Sequence, residues 1–458
     1  MDFDNFKSKF KGDLVQPHDP DYKQAINRWA ANAERRAAIV AFTKDAHDVA
    51  LAIKYARQTG LRIAVRGGGH SPAGTSSCDG GLVIDLSRHM NGVRVDPEKK
   101  LAYVQGGAIW GDFDKAAAKH GLAGVAGTVH DTGVGGLAVG GGYGWLSGRH
   151  GLVIDNTVQH TVVTADGRIL TANEKENPDL FWGVRGGGSN FGVVTEFIFK
   201  LHSQRKDVFA GTVLFSIDKA EKMAKVLDAW WPKATGDEGV LVAIVRPPDG
   251  NAVLMAFVFY NGPEEDARKI YKPLYDLGPL VDNAKEVPYE IVNSMTNPLA
   301  EWGANYYFKG VLLGKMPSDD LNAKTLKRVL DIANSTEHTV AVLLEYLPHA
   351  KINSVAASAT PYRRDLPGNT LIVTQWKNST PENAVKAKEI TQGIAEVMPK
   401  GEGYGNYTPE SDALPVAGAV SSDKSKQLFR DAYPRLQTIK KKYDPDMIFN
   451  QWYTVVPA

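Results

Sequence analysis

Ten of the twenty-five residues from 124 to 148 are glycine, in a chain of 458 residues that carries 45 glycines in all. Each glycine inside a helix or strand costs about 0.5–1 kcal/mol relative to alanine, so a run this dense predicts neither a packed helix nor a packed strand. A flexible linker would be polar and rich in serine or proline, yet this stretch interleaves Val125, Val134, Leu137, Val139, Tyr143, Trp145 and Leu146. The expectation is a backbone that packs closely against a flat or phosphorylated ligand.

Composition narrows the partners. Lys and Arg number 53 against 52 Asp and Glu, a formal charge of +1, whereas nucleic acids and anionic membrane surfaces call for basic stripes, so neither is an expected partner. No run of about 18 apolar residues occurs. The start, Met1-Asp2-Phe3-Asp4, lacks the basic and apolar regions of a secretory signal, and a cytoplasmic protein without membrane attachment is the expectation. The single cysteine, Cys78, excludes a disulfide framework within the chain and a multi-thiolate metal site; no metal is expected. Sequons at Asn334, Asn378 and Asn406 then read as chance matches. At roughly 100–200 residues per domain the length predicts two to four units.

From 43 to 60 the positions Val49, Ala52, Ile53 and Ala56 share one helix face, and Gly60 supplies a stop. A short strand follows at 61–65, β-rich runs at 81–86, 93–95 and 101–105, and a helix at 110–120. Residues 157–171 read as a hairpin turning at Asp166-Gly167, and a glycine loop at 186–188 leads into a strand over 191–201. Beyond Arg205 the glycine clusters thin out, and a domain boundary is placed there. Strands are expected at 209–217, 239–245, 252–260, 340–347 and 370–376, with helices at 219–231, 264–277, 319–334 and 382–398. This cadence predicts an α+β arrangement, a sheet layered with helices. A last helix, 424–443, ends at Asp444-Pro445.

Two glycine motifs bear on chemistry. The segment from Gly133 to Ala138 satisfies the dinucleotide fingerprint G-x-G-x-x-A, with Asp155 about twenty residues on, but that fingerprint needs a hydrophobic strand before it and a helix after it. Here Val129-His130-Asp131-Thr132 precedes, and Gly140-Gly141-Gly142 is expected to break a helix, so the nicotinamide-type fold is set aside. No G-x-x-x-x-G-K-[ST] loop exists either. The second motif, Arg66-Gly67-Gly68-Gly69-His70-Ser71, directly follows a strand. Successive glycines let consecutive amides point into one concavity able to hold a pyrophosphate, with the imidazole at its rim. The plainer reading is a tight turn with a surface histidine.

In order along the chain stand Arg66-Gly-Gly-Gly-His70-Ser71, Asp79-Gly-Gly-Leu-Val-Ile-Asp85, Gly133-Val-Gly-Gly-Leu-Ala-Val-Gly-Gly-Gly-Tyr143-Gly144, and Asn177-Pro-Asp-Leu-Phe-Trp-Gly-Val-Arg-Gly186 running on to Gly192. In these the chain resembles the flavin-linked oxidases of the berberine-bridge-enzyme type, in the vanillyl-alcohol-oxidase superfamily. Tyr404-Gly-Asn406-Tyr407 and the segment from Tyr443 to Asn450 look like that family's closing motifs. The resemblance implies a two-domain PCMH-type FAD-binding fold: a first part at 1–205, an inserted substrate domain at 206–403 built on an antiparallel sheet covered by helices, and a return to the FAD domain at 404–458. It implies FAD contacts from Arg66, Gly67, Gly68, Gly69, His70, Ser71, Thr132, Gly133, Gly135, Gly136, Gly142, Tyr143, Gly144, Asn156, Gly192, Val194, Asn406 and Asn450. In the family the histidine matching His70 adds as a neutral nucleophile to the flavin's 8α carbon. Many relatives add a cysteinyl link just before the G-V-G-G run, where this chain has no cysteine; Cys78, in another loop, is either an inert small hydrophobe or a second anchor, and no second link is expected.

The implied reaction is removal of a hydride from an alcohol or amine carbon of a small-molecule substrate, with O2 as acceptor and H2O2 as product. The alternative is an oxidative cyclase or dehydrogenase that reacts poorly with oxygen. A base must take the O–H or N–H proton. Tyr407 matches the tyrosine that serves so in several relatives, but a phenol titrates near 10 and works only if its phenolate is stabilised; with Tyr404 it otherwise lines an aromatic pocket. Glu345 and Gln375, mid-strand among apolar neighbours, face either a pocket or solvent. His130 and Asp131 either contact the ring edge or cap their loop.

Overall fold

The computed structural model describes residues 1–246, 252–312, 327–329, 331, 337–364, 368–398, 403–407 and 423–458. Near the N-terminus, a helix at Ala46–Thr59 starts where the Asp45 carboxylate accepts the N–H groups of His47 and Asp48, and ends at Gly60 with φ +70°. Its buried face carries Val49, Ala52, Ile53 and Ala56, as the spacing predicts. It packs on a four-stranded sheet ordered Asp13–Val15, Ile39–Phe42, Leu82–Asp85, Ile63–Arg66, in which the last three run parallel. The carboxyl end of the strand Ile63–Arg66 delivers residues 67–71 to the central cleft.

A second sheet, antiparallel throughout, is ordered Val93–Asp96, Leu101–Gln105, Val193–Lys200, Thr157–Val163, Ile169–Ala172. The expected hairpin is its far edge, with Val163 opposite Ile169 and Gly167 at φ +84° in the turn. The large third sheet is also antiparallel. Its path runs Val281–Asp282, Asp207–Ser216, Val253–Tyr260, Glu238–Arg246, His338–Tyr346, Asn369–Trp376, Asn305–Leu312, with Lys285–Pro288 beside the second strand.

Strand periodicity gives this sheet two different faces. Val240, Val242, Val340, Val342, Leu344 and Ile372 pack under the helices Ala220–Trp230, Glu264–Ile270 and Pro381–Ala395. The alternate residues Thr339, Ala341, Leu343, Leu371, Val373 and Gln375 line the central cavity instead. The C-terminal residues Tyr404, Phe429, Tyr433, Leu436, Ile439, Tyr443 and Val455 share a core with Trp110, Phe181 and Phe197 from the first part of the chain. A buried lysine pins this return: Lys440 Nζ donates to Asp444 Oδ2 at 2.6 Å, to the Asn190 carbonyl at 2.7 Å and to the Phe449 carbonyl at 2.8 Å.

Four elements differ from expectation. Within the glycine run a helix does form, Val134–Val139, and stops at Gly140; what remains missing from the dinucleotide fingerprint is the strand before it, since residues 129–132 are turns. The helix expected at 264–277 is two, Glu264–Ile270 and Lys272–Tyr275, with Pro273 at the start of the second. The last helix is likewise split into Asp423–Phe429 and Tyr433–Tyr443 at Arg430, φ +44°, ahead of Pro434. The strand Asn305–Leu312 was not anticipated. The helix expected at 319–334 lies, apart from residues 327–329 and 331, outside the described residues, as does Asn334. Among the described residues no helix is long and apolar enough to cross a membrane.

Candidate active site

Glycines crowd the cleft because backbones meet there. A Cβ on Gly68 would lie 2.6 Å from the Gly133 Cα, and one on Gly67 or Gly135 would lie 2.8 or 2.6 Å from the Gly106 carbonyl oxygen. At Gly140 it would collide with the Asn406 side chain. Most of the density therefore serves packing of chain on chain, a correction to the ligand-only expectation; Gly136, with nothing within 4 Å of the Cβ position, is the exception that opens on the cavity. Among the described residues, no N–H of residues 67–71 reaches an acceptor. A row of unpaired donors lining a cleft fits an anionic ligand.

The cavity measures about 320 Å³ and runs between the 67–71 turn, the start of the 134–139 helix and the odd-numbered face of the large sheet. Of the residues singled out in the sequence, Gly67, Gly68, Gly69, His70, Ser71, Thr132, Gly133, Gly135, Gly136, Tyr143, Gly192, Val194, Asn406 and Asn450 line it, as do Tyr404, Tyr407 and Gln375. Four others do not. Arg66 turns away to Asp85, 3.2 Å from Oδ2. The Gly142 N–H donates to the Tyr404 hydroxyl at 3.0 Å, and the Gly144 N–H to Ser147 Oγ at 2.9 Å. Asn156 ties its own loop, donating to the carbonyls of His150 and Leu152 while its oxygen meets His202 Nε2 at 2.8 Å. Cys78 is also remote: it is buried against the Arg62 and Leu82 carbonyls, and desolvation pushes its thiol up to about 11.

Behind the wall sits Glu345, on the same strand face as Thr339, Ala341 and Leu343 and only 2% exposed. Tyr407 donates to its Oε1 at 2.8 Å and Tyr143 to its Oε2. Tyr407 has room because Gly310, on the neighbouring edge strand, carries no side chain; a Cβ there would be 2.8 Å from that of Tyr407. Burial raises the Glu345 carboxyl to about 7, against the opposing pull of the two phenol hydrogen bonds. Burial and the adjacent carboxylate hold the Tyr407 and Tyr143 phenols well above 10. The surroundings thus work against a resting Tyr407 phenolate, and the group in this cluster that titrates near neutrality is Glu345. Tyr404 accepts from Gly142 and from Asn406 Nδ2, and so braces the glycine run against the C-terminal motif.

On the opposite side His70 is held by groups that sequence gave no means of pairing. Its ring stacks on Trp29 at 4.1 Å and 14°, and Trp29 stacks in turn on Tyr306 at 4.0 Å. His70 Nε2 lies 3.4 Å from Asp131 Oδ1 without hydrogen-bond alignment, and the Trp302 indole N–H donates to Asp131 Oδ2. These partners lie up to 236 residues from His70 in sequence. Only Asp131 drew notice, through its place beside the glycine run.

An adenine dinucleotide carrying a flavin ring needs donors for its diphosphate, apolar walls for its ring and, for attachment, a nucleophile at the ring edge. Unpaired amides at 67–71, Leu137, Val194 and Phe308 on the walls, and the imidazole of His70 fit that description. The fold and cleft define a flavin-binding oxidoreductase, and comparison with known proteins agrees. Residues 37–173 match the FAD-binding domain family, and residues 404–452 the berberine and berberine-like family. The chain is 33% identical to the FAD-linked oxidoreductase pgmH of Aspergillus terreus, over 100% of this chain and 96% of that one. The crystal structure of 6-hydroxy-D-nicotine oxidase from Arthrobacter nicotinovorans matches with a TM-score of 0.85 at 28% identity, covering 98% and 99% of the two chains. A carbohydrate oxidase from Microdochium nivale, at 23% identity, TM-score 0.82 and 99% coverage of each chain, shares the fold.

The chain belongs to the berberine-bridge-like family of FAD-linked oxidoreductases, with the PCMH-type fold.

Proposed function

We propose that this enzyme is an oxidase that takes a hydride from an alcohol or amine carbon of a small, largely apolar molecule and reduces O2 to H2O2, with FAD attached through His70 and no second cysteinyl link. The chain would divide into FAD-binding parts at 1–205 and 404–458 around a substrate domain at 206–403. Bound FAD supplies the hydride acceptor. The observation that carries the reading is the buried Glu345 carboxylate behind the cavity wall, bonded to the lining phenols Tyr143 and Tyr407.

Tyr407 Oη accepts the proton of the substrate O–H or N–H while passing its own proton to Glu345 Oε1 at 2.8 Å. No free phenolate is required, because the proton ends on a carboxyl whose affinity for it is set near neutrality. Tyr143 holds the second carboxylate oxygen and so aims the first. Ala341, Leu343, Leu371, Val373 and Phe308 keep water from the reacting carbon, while Gln375 and Thr339 are the polar groups on that face. Among the described residues no Asp, Glu, Lys or Arg lines the cavity, which favours substrates with one hydroxyl or amine on an apolar frame over densely hydroxylated or anionic ones. Purified protein incubated with aromatic alcohols, cyclic amines and sugars, with peroxide as readout, is expected to respond to the first two classes. Peroxide from sugars alone would overturn the substrate assignment.

A further inference from the structure

Two buried polar atoms beside the cavity face each other without partners: His70 Nε2 and Asp131 Oδ1, 3.4 Å apart. The other carboxylate oxygen is taken by the Trp302 indole, so Oδ1 is left to the imidazole. The loop that carries Asp131 is fixed on both sides, by the Trp110 N–H to the Thr132 carbonyl at 3.1 Å and the Gly111 N–H to the His130 carbonyl at 2.7 Å. Trp29 stacks on the imidazole face and restrains its tilt. Nε2 is sealed from solvent in this arrangement, whereas Nδ1 is not.

We infer that Asp131 is the positioning residue for flavin attachment: it holds the ring proton on Nε2, leaves the Nδ1 lone pair free on the cavity side, and receives the Nε2 proton as Nδ1 forms its bond to the 8α carbon. This rests on the proposed His70 linkage. In the attachment one methyl C–H bond breaks and one C–N bond forms; the methyl proton and the imidazole proton leave, and the two electrons pass by way of the ring to dioxygen, which with two protons becomes hydrogen peroxide. Imidazole tautomer is set by what the other ring nitrogen bonds to, and a carboxylate at one nitrogen raises the nucleophilicity of the other. Burial pushes the Asp131 carboxyl up, but the facing His70 ring and the Trp302 indole N–H outweigh it and hold the carboxyl below the usual range, which keeps the acceptor ionised.

The test compares parent, Asp131→Asn, Asp131→Glu, Trp302→Phe and His70→Ala, each produced under riboflavin limitation and then given FAD. Flavin bound to native protein and flavin retained after acid precipitation are followed in time. Asp131→Asn is expected to bind FAD as the parent does but to attach it about 10²–10⁴-fold more slowly, the range for loss of a positioned proton acceptor. Asp131→Glu should recover part of the rate, and peptide analysis of the parent should find the link at Nδ1. Attachment by Asp131→Asn at the parent rate, or linkage through Nε2, overturns the inference. Should Asp131→Asn fail to fold, Trp302→Phe decides: slowed attachment with intact FAD binding supports the role, an unchanged rate overturns it. A parent that releases all its flavin in acid, like His70→Ala, would instead overturn the covalent reading on which the inference rests.

Discussion

Replacing Glu345 by glutamine separates proton transfer from mere pocket architecture. The change is nearly isosteric, but glutamine has one acceptor oxygen and an NH2 group where the carboxylate has two acceptors, so one of the phenols of Tyr143 and Tyr407 must turn to accept rather than donate. With a substrate from the responding class, anaerobic stopped-flow reduction of the flavin should slow by about 10²–10⁴-fold. In the parent the rate should follow ionisation of Glu345, whose carboxyl sits at about 7. Reduction at pH 6 would then be about tenfold below its alkaline plateau, and in Glu345→Gln this arm should vanish. Stability should move the other way. The native carboxyl binds its proton up to about 7 and the unfolded one only up to 4.5, so the parent loses stability as pH rises between these values, by roughly 3 kcal/mol in total. Glutamine does not titrate, so the urea stability of the variant should lack this fall between pH 4.5 and about 7. A variant that reduces its flavin at the parent rate, or that retains the acidic arm, would refute the assignment of Glu345 as terminal proton acceptor.

Tyr407→Phe removes one oxygen and should likewise slow flavin reduction by about 10²–10⁴-fold with little change in substrate affinity; an unchanged rate would make Tyr407 wall and leave Glu345 to act directly. Lys440→Met strands the buried Asp444 carboxylate and should cost about 3–5 kcal/mol in urea unfolding, whereas a loss near zero would show the clamp on the C-terminal return to be dispensable. Cys78→Ser should leave acid-stable flavin unchanged, with peptide mapping finding flavin only on the 66–71 segment; flavin on Cys78 in the parent would reverse that reading.

The glycine turn at 67–69 was legible because its chemistry is local: a strand, three glycines and a histidine suffice to predict a nest. The same locality made the helix Ala46–Thr59 and the 157–172 hairpin readable from spacing and turn residues. Glu345 was noticed but not oriented. Its strand is buried on both faces, with Val340, Val342 and Leu344 under helices and Ala341 and Leu343 on the cavity, which erases the alternation that would tell in from out. The strand Asn305–Leu312 escaped because aromatic Tyr306, Tyr307 and Phe308 stand in succession, without a period. Prolines 273 and 434 sit within runs of helical pattern, yet each stands at the start of a new helix. Nothing local pairs His70 with Trp29, Asp131 with Trp302, or Tyr143 with Glu345; those contacts exist only once the sheets are stacked. At Asn156 motif order suggests a cofactor contact, whereas its side-chain amide ties its own loop.

One measurement of electron flow tests the oxidase assignment most directly. Enzyme reduced by substrate without air is mixed with oxygenated buffer while flavin absorbance, oxygen consumption and peroxide are followed together. An oxidase returns to its yellow oxidised form at least as fast as it turns over, with one H2O2 formed per O2 consumed. Flavin that stays bleached in air, with no peroxide, would contradict the proposal and place this enzyme among the oxygen-poor dehydrogenases and cyclases.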